Sequence, residues 1–246
     1  MNDAEFAERL WLSSVPLVRL DSQHLPSAYA SGCLINYFGK RILLTVSHAT
    51  GNQGNWGIQC RYVPGKGTEI YQLGAMHFLA RGSQDQSGLE AVDFSYVEVP
   101  TSVVTYRQGI EARTNMIDSE TPVTVHAPSL EETPHADARF GFCGVVMPEL
   151  EKHPVQTHFA GEPRIYLGLS FLRSEDDYHV FSLPFPHPGD EHFKGCSGAA
   201  ILSNAGSLVA LVCSGCVQRN EIWGISLSAY KTAIDILVGN IEQRGP

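Results

Sequence analysis

The sequence predicts an all-β chain of antiparallel strands that ends in one α-helix. Three observations carry this expectation. From Val15 to about Val99, short β-branched and apolar runs alternate with turn signals such as Asn52-Gln53-Gly54-Asn55 and Pro64-Gly65-Lys66-Gly67. Strand-like runs resume at Pro122-Val123-Thr124-Val125-His126 and at Phe140-Gly141-Phe142-Cys143-Gly144-Val145-Val146. After Trp223 the apolar spacing lengthens to about 3.6 residues, which sets Leu227, Tyr230, Ile234, Leu237 and Ile241 on one face of a helix. A chain of 246 residues can bury a full core, and its length permits one domain or two small ones.

Taken in order, residues 1–14 form an N-terminal arm. Phe6 and Leu10 stand four apart with Glu8 between them, the pattern of a short amphipathic helix lying on the body of the protein. Packing is its ordinary role, and docking of a partner is the alternative. Residues 15–118 make the first β unit, its end marked by a crossover near Pro100 and Gly109, and residues 119–246 make the second. The stretch from Pro148 to Asp177 is polar and reads as strand plus surface loop. Pro184, Pro186 and Pro188 stiffen a loop that cannot be a central strand. The terminal helix is expected over about 227–243. No internal repeat is found.

Charge and cysteine usage exclude several function classes. Asp and Glu number 26 against 17 Lys and Arg, a net charge of −9, whereas a nucleic-acid or anionic-membrane surface needs clustered cations. The N-terminus, Met1 to Trp11, is acidic where an export signal is basic, and no apolar run approaches the roughly 18 residues of a membrane span. A cytoplasmic protein is therefore expected, with no membrane or nucleic-acid partner. Six cysteines stand at positions 33, 60, 143, 196, 213 and 216. Cys213-Ser214-Gly215-Cys216 has the spacing of a redox pair or of half a zinc site, but no second pair or His-x-His cluster accompanies it. His126, His135, His153, His158, His179 and His187 likewise lack metal-ligand spacing; most are read as surface residues, with one left to line a substrate pocket. No metal or cofactor is expected.

Three segments in fixed order carry the chemistry: Leu43-Leu44-Thr45-Val46-Ser47-His48-Ala49, then Ala91-Val92-Asp93-Phe94-Ser95-Tyr96-Val97, then Lys194-Gly195-Cys196-Ser197-Gly198-Ala199. They supply a base, a carboxylate to orient it and a nucleophile, and a serine hydroxyl needs such a base to attack near neutral pH. With the 45-residue gap from His48 to Asp93, this order resembles the trypsin-like serine peptidases, in which His, Asp and Ser follow one another and Ser sits in Gly-Asp-Ser-Gly-Gly. Ser31-Gly32-Cys33-Leu34-Ile35, Gly206-Ser207-Leu208-Val209-Ala210-Leu211-Val212 and Trp223-Gly224-Ile225-Ser226 extend the resemblance patchily over about residues 13–241.

The resemblance implies two antiparallel six-stranded β-barrels, the first carrying His48 and Asp93 and the second Ser197. It implies a serine endopeptidase working through an acyl-enzyme, with polypeptide as substrate and the N–H groups of Gly195 and Ser197 as oxyanion donors. The residue six before the nucleophile would lie at the base of the S1 pocket, which is Glu191 with Asp190 beside it; a carboxylate there favours Arg or Lys at P1. Val212, Cys213, Ser214 and Gly215 would pair with an extended substrate, Cys213 standing where the family has Ser.

Three departures matter. Ala49 follows His48 where secreted members have Cys, in line with a reducing compartment. Cys196 replaces the Asp that pairs with a newly cut N-terminus, and Val15-Pro16-Leu17-Val18 lacks the Ile-Val-Gly-Gly start, so zymogen cleavage is not the switch. The chain is in this respect similar to intracellular, bacterial-type members, with an activating or regulatory protein partner as one expectation. Ala199 replaces a second glycine, and together with Cys196 it supports the alternative, a weak or inactive trypsin-like module that binds peptides or a partner. An esterase with a Gly-x-Ser-x-Gly elbow is disfavoured by Ala199 and by the lack of any His after Ser197.

Overall fold

The computed structural model describes residues 1–51, 54–82, 88–110, 117–153 and 156–239. Asn2 caps the first helix, α1 (Asp3–Trp11), through a capping box: its side chain accepts the Glu5 N–H at 2.9 Å while the Glu5 carboxylate accepts the Asn2 N–H at 3.1 Å. Phe6 and Leu10 are buried. They pack where Gly141 leaves room, since a Cβ on that glycine would stand 2.6 Å from Leu10 Cδ1.

The first half contains β1 (Val15–Leu20), β2 (Pro26–Tyr37), β3 (Lys40–Thr45), a single helical turn α2 (Ser47–Thr50), β4 (Asn55–Val63), β5 (Gly67–Gln72), β6 (His77–Gly82) and β7 (Leu89–Glu98). These strands make one sheet in the order β5-β4-β1-β2-β3-β7-β6. A two-residue strand, β10 (Val125–His126), joins it parallel to β2. The short sheet of β8 (Tyr106–Ile110) and β9 (Ile117–Pro122) begins in the expected crossover and runs past its expected end at residue 118.

The second half is a closed barrel in the order β11-β12-β13-β16-β15-β14. Its strands are β11 (Arg139–His153), β12 (Gln156–Glu175), β13 (Tyr178–Ser182), β14 (Ala200–Ser203), β15 (Leu208–Cys216) and β16 (Glu221–Ser226). The stretch expected as strand plus surface loop is instead one long hairpin whose register runs from Arg139↔Ser170 to His153↔Gln156. Antiparallel pairing of long strands satisfies its backbone without an apolar run to announce it.

Two expectations change. The chain is all-β with one closed six-stranded barrel, whereas the first half is an eight-stranded sheet with no β5–β6 pairing among the described residues. Those edge strands are mostly exposed and carry Glu69 and Arg81, the kind of polar edge that resists pairing. The terminal helix, α3 (Lys231–Val238), starts later than residue 227, after a 3-10 turn at Ser228–Tyr230. Leu227, Tyr230 and Ile234 are buried as the spacing requires. The turn residues Asn52 and Gln53, the helix end at Ile241 and the rest of the chain to Pro246 lie outside the described residues.

One apolar cluster joins the two halves, with Cys33, Ile35, Leu44 and Phe94 from the first and Cys143, Leu202, Leu211 and Ile225 from the second. No helix among the described residues is long and apolar enough to cross a membrane.

His126 and His179, two of the six histidines most of which are expected at the surface, are buried. Burial, aided by the charge of Arg9, pushes the His126 pKa down to about 4. The unfolded chain then binds this proton more tightly than the native one, so stability is complete above about pH 6.5 and falls as pH drops toward 4. A loss of about 3 kcal/mol over that window is expected from this group. Urea midpoints of the parent and of His126→Leu measured across the window check it; an equally steep acid slope in the variant would refute the assignment.

Candidate active site

The site forms where the cluster joining the two halves reaches the surface, and local backbone geometry places each side chain. Strand β3 ends at Thr45, and α2 closes on itself through the Gly51 N–H to Ser47 carbonyl bond at 2.7 Å, Gly51 adopting φ 59°. This one turn swings His48 off the sheet toward β7. The β3–β7 register ends at Thr45↔Ser95, so Asp93 lies just beyond the last paired residue and faces the helical turn. Asp93 sits within β7, whereas the sequence suggests an Asp that opens its strand.

Asp93 is half-buried and receives four donors. Oδ1 accepts the His48 backbone N–H at 2.8 Å and the Ser47 hydroxyl at 3.0 Å, while Oδ2 lies 2.7 Å from His48 Nδ1 and accepts the Cys213 thiol at 2.8 Å. Burial alone would raise the Asp93 pKa, but the hydrogen bonds from His48 and Cys213 hold it well below the usual carboxylate range. An ionised Asp93 makes Nδ1 the protonated nitrogen of a neutral His48. Nε2 is then free to accept, and it lies 3.0 Å from Ser197 Oγ.

Cys213 reaches Asp93 because of a β-bulge. The β15–β16 register passes from Val212↔Gly224 to Ser214↔Trp223, which leaves Cys213 as the extra residue. Burial and the adjacent Asp93 charge both push its thiol pKa up, so it donates as a neutral S–H. His48, Asp93 and Cys213 are also the one His/Cys/acid group among the described residues whose donor atoms all lie within 4.8 Å of one another, close enough for one metal ion. Their polar atoms already satisfy one another. Cys216 is apart from this network, bonded to Gln218 and Arg219.

The turn that carries Ser197 is held from the first half. Lys194 has φ −54° and ψ 130°, Gly195 has φ 89°, and the Cys196 N–H bonds the Phe193 carbonyl at 2.9 Å, which together make a type II turn with glycine where φ must be positive. Ser31 of β2 fastens this turn with its hydroxyl and its N–H, and β3 holds Ser31 in place. Its hydroxyl donates to the Gly195 carbonyl at 2.6 Å, its N–H donates to the Ser197 carbonyl at 3.0 Å, and its own carbonyl accepts the Thr45 hydroxyl at 2.7 Å. The Gly198 N–H completes the clamp on the Val212 carbonyl at 2.7 Å. Among the described residues the N–H groups of Gly195 and Ser197 have no acceptor. Cys196 is fully buried against Gly144, pointing away from the surface, and burial pushes its thiol pKa far up.

A cavity of about 220 Å³ opens beside Ser197, lined by His187, Asp190, Phe193, Lys194, Ser197, Val212, Cys213, Ser214, Gly215 and Ile222. Cys213, Ser214 and Gly215, expected as part of the strand that pairs with substrate, line this cavity together with Asp190. Glu191 does not. The 3-10 turn Asp190–Phe193 sends its side chain outward, 83% exposed and paired with Lys194. The ground for a basic P1 residue shrinks to Asp190. Ser31 and His187 went unassigned in the sequence reading, although each lies in a segment it singled out.

No family model matches this sequence, and no curated protein matches it. Solved structures do. Human heparin binding protein aligns over 97% of this chain and 96% of its own, with a TM-score of 0.58 at 14% identity. The serine endoprotease from Yersinia pestis aligns over 98% and 68%, with a TM-score of 0.55 at 11% identity. HL collagenase aligns over 94% and 95%, with a TM-score of 0.54 at 12% identity. The fold is that of chymotrypsin-like serine proteases. At these identities the likeness speaks for the fold alone. Within the chymotrypsin-like fold, the local bonds above belong to this chain, and the Ser31 hydroxyl is the one with the most direct test. Ser31→Ala is expected to lower kcat about tenfold with little change in KM, the loss of roughly one buried hydrogen bond to the turn. Equal kcat in parent and variant would show that the turn holds itself.

Proposed function

We propose that this chain is a serine endopeptidase in which Ser197 is the nucleophile, His48 the general base and Asp93 its orienter. The observation that carries the reading is the continuous chain from Asp93 Oδ2 through His48 to Ser197 Oγ, with steps of 2.7 and 3.0 Å. Ser197 Oγ attacks the scissile carbonyl carbon as its proton moves to His48 Nε2, and Asp93 stabilises the imidazolium that results. The carbonyl oxygen becomes an oxyanion, for which the N–H groups of Gly195 and Ser197 are the donors. His48 then returns the proton to the leaving amine, which departs and leaves the acyl-enzyme. Water activated by the same imidazole hydrolyses it.

Substrate backbone pairs along Ser214 and Gly215 by β-addition, which the geometry favours because β15 pairs with β14 no further than Leu211. The alternative of a non-catalytic binding module rested on Cys196 and Ala199. Both are buried behind the turn, where a small side chain is accommodated. Activation by an inserted N-terminus has no counterpart in this reading, since Ser31 supplies the tie to the turn; a regulatory partner would act elsewhere. Six free thiols fit a cytoplasmic setting.

Labelling with a fluorophosphonate, read by intact mass, tests the proposal. One adduct on the parent and none on Ser197→Ala is the expected result. An unlabelled parent would overturn the reading in favour of a binding module.

A further inference from the structure

His187 has a polar atom that the fold leaves unused. Its loop is pinned at one end by Asn220, whose side chain donates to the Leu183 carbonyl at 3.0 Å and whose own carbonyl accepts the Leu183 N–H at 3.1 Å. Pro184, Pro186 and Pro188 restrict the backbone between. The ring of His187 meets Phe193 edge-on, with centroids 5.1 Å apart. The Gly189 N–H donates to Nδ1 at 3.1 Å, which makes Nδ1 an acceptor and puts the proton of the neutral ring on Nε2. Burial holds the ring pKa below the ordinary histidine value, against the opposing pull of the nearby Asp190 carboxylate, so the ring is neutral near pH 7. Nε2 is buried and has no hydrogen-bond partner among the described residues. It stands 2.6 Å from where a Cβ on Gly215 would be, and both residues line the cavity next to Ser197.

An N–H donor left unpaired in the wall of a cavity beside the nucleophile, against Gly215, selects for an acceptor on a side chain that reaches it. An Arg or Lys side chain would bring only further donors. An aliphatic side chain would bury the N–H without a partner. A carboxylate would accept from it but would meet the Asp190 carboxylate in the same cavity, and the one cation there, Lys194, is tied to Glu191. A primary carboxamide suits both groups, because its oxygen accepts while its NH2 donates.

Resting on Ser197 as the nucleophile, we infer that His187 determines P1 specificity and that the P1 residue is glutamine, its carbonyl oxygen on the Nε2–H of His187 and its NH2 toward Asp190. Gly215 is required with it, since a side chain there would fill the space between strand and ring.

The test is binding of uncleaved hexapeptides to Ser197→Ala by calorimetry, with Gln, Glu, Arg or norleucine at P1 and Ala elsewhere, repeated with His187→Leu added. Gln is expected to bind at least about tenfold more tightly than the other three, and His187→Leu to abolish that advantage. Preference for any other P1 residue, no measurable binding of the Gln peptide, or a Gln preference that survives His187→Leu would overturn the inference. Should the double variant not fold, the four-peptide comparison on Ser197→Ala still decides. The outcome is separable from that of the labelling: an adduct without Gln preference sinks the pocket assignment alone. Gln binding without an adduct sinks catalysis and leaves the pocket assignment standing.

Discussion

Asp93→Asn is expected to lower kcat about 10⁴-fold, the size of effect seen when an amide replaces the orienting carboxylate of a Ser-His-Asp triad. The bonding around position 93 gives the reason. Oδ1 receives the His48 N–H and the Ser47 hydroxyl, and Oδ2 lies against His48 Nδ1 and the Cys213 thiol, so both oxygens must accept. An asparagine can place its NH2 at only one of these two positions, and a donor already stands at each. With NH2 toward Nδ1, the imidazole proton moves to Nε2 and can no longer take the proton of Ser197. With NH2 toward Oδ1, it meets the main-chain N–H of His48 and displaces the helical turn. Steady-state hydrolysis compared with Ser197→Ala as the floor measures the loss. Turnover within tenfold of the parent would mean that another group orients His48.

The largest stability effect is expected at Gly198. Its φ of 88° is costly for any residue with a Cβ, and that Cβ would land on the Ser31 carbonyl oxygen and the Thr45 hydroxyl, 3.0 Å from the Ser31 carbonyl carbon. Neither obstacle is the free end of a flexible side chain, so β2 and the Ser197 turn must separate. Gly198→Ala should therefore cost about 3–5 kcal/mol from strain and overpacking combined. Urea denaturation gives the number, and a shift under 1 kcal/mol would show that the turn relaxes without disturbing β2.

How much of this was legible in the sequence depended on how local the cause was. His48, Asp93 and Ser197 each stand in a short segment whose residue types point to the local geometry: a strand end, a strand expected to begin at Asp93 although β7 begins at Leu89, and a glycine-flanked turn. Glu191 failed because counting back from Ser197 assumes a loop of fixed length, and the prolines at 184, 186 and 188 with the 3-10 turn at 190–193 alter it. His187 takes the cavity instead. The open first sheet was not legible either, because closure is a property of two distant edges, β5 and β6, rather than of any one run of residues. His126 lies in a strand of two residues, too short to show a period, and its burial comes from parallel pairing with β2. Cys213 reaches Asp93 only through a bulge, and a bulge leaves no mark in apolar alternation.

The Ser31 clamp also bears on when activity can first arise. Ser31 and Gly195 are 164 residues apart in the chain, so the bonds that shape the nucleophile turn close one of the longest loops in the molecule. Contacts of that span form late, because the entropy of loop closure must be met before they contribute. On the ribosome the first half is complete long before Ser197 is synthesised, whereas the barrel of the second half lacks its fastening unless β2 is already in place. A fragment of either half alone cannot assemble the reactive serine. The proposed nucleophile thus takes its working geometry only after both halves have joined.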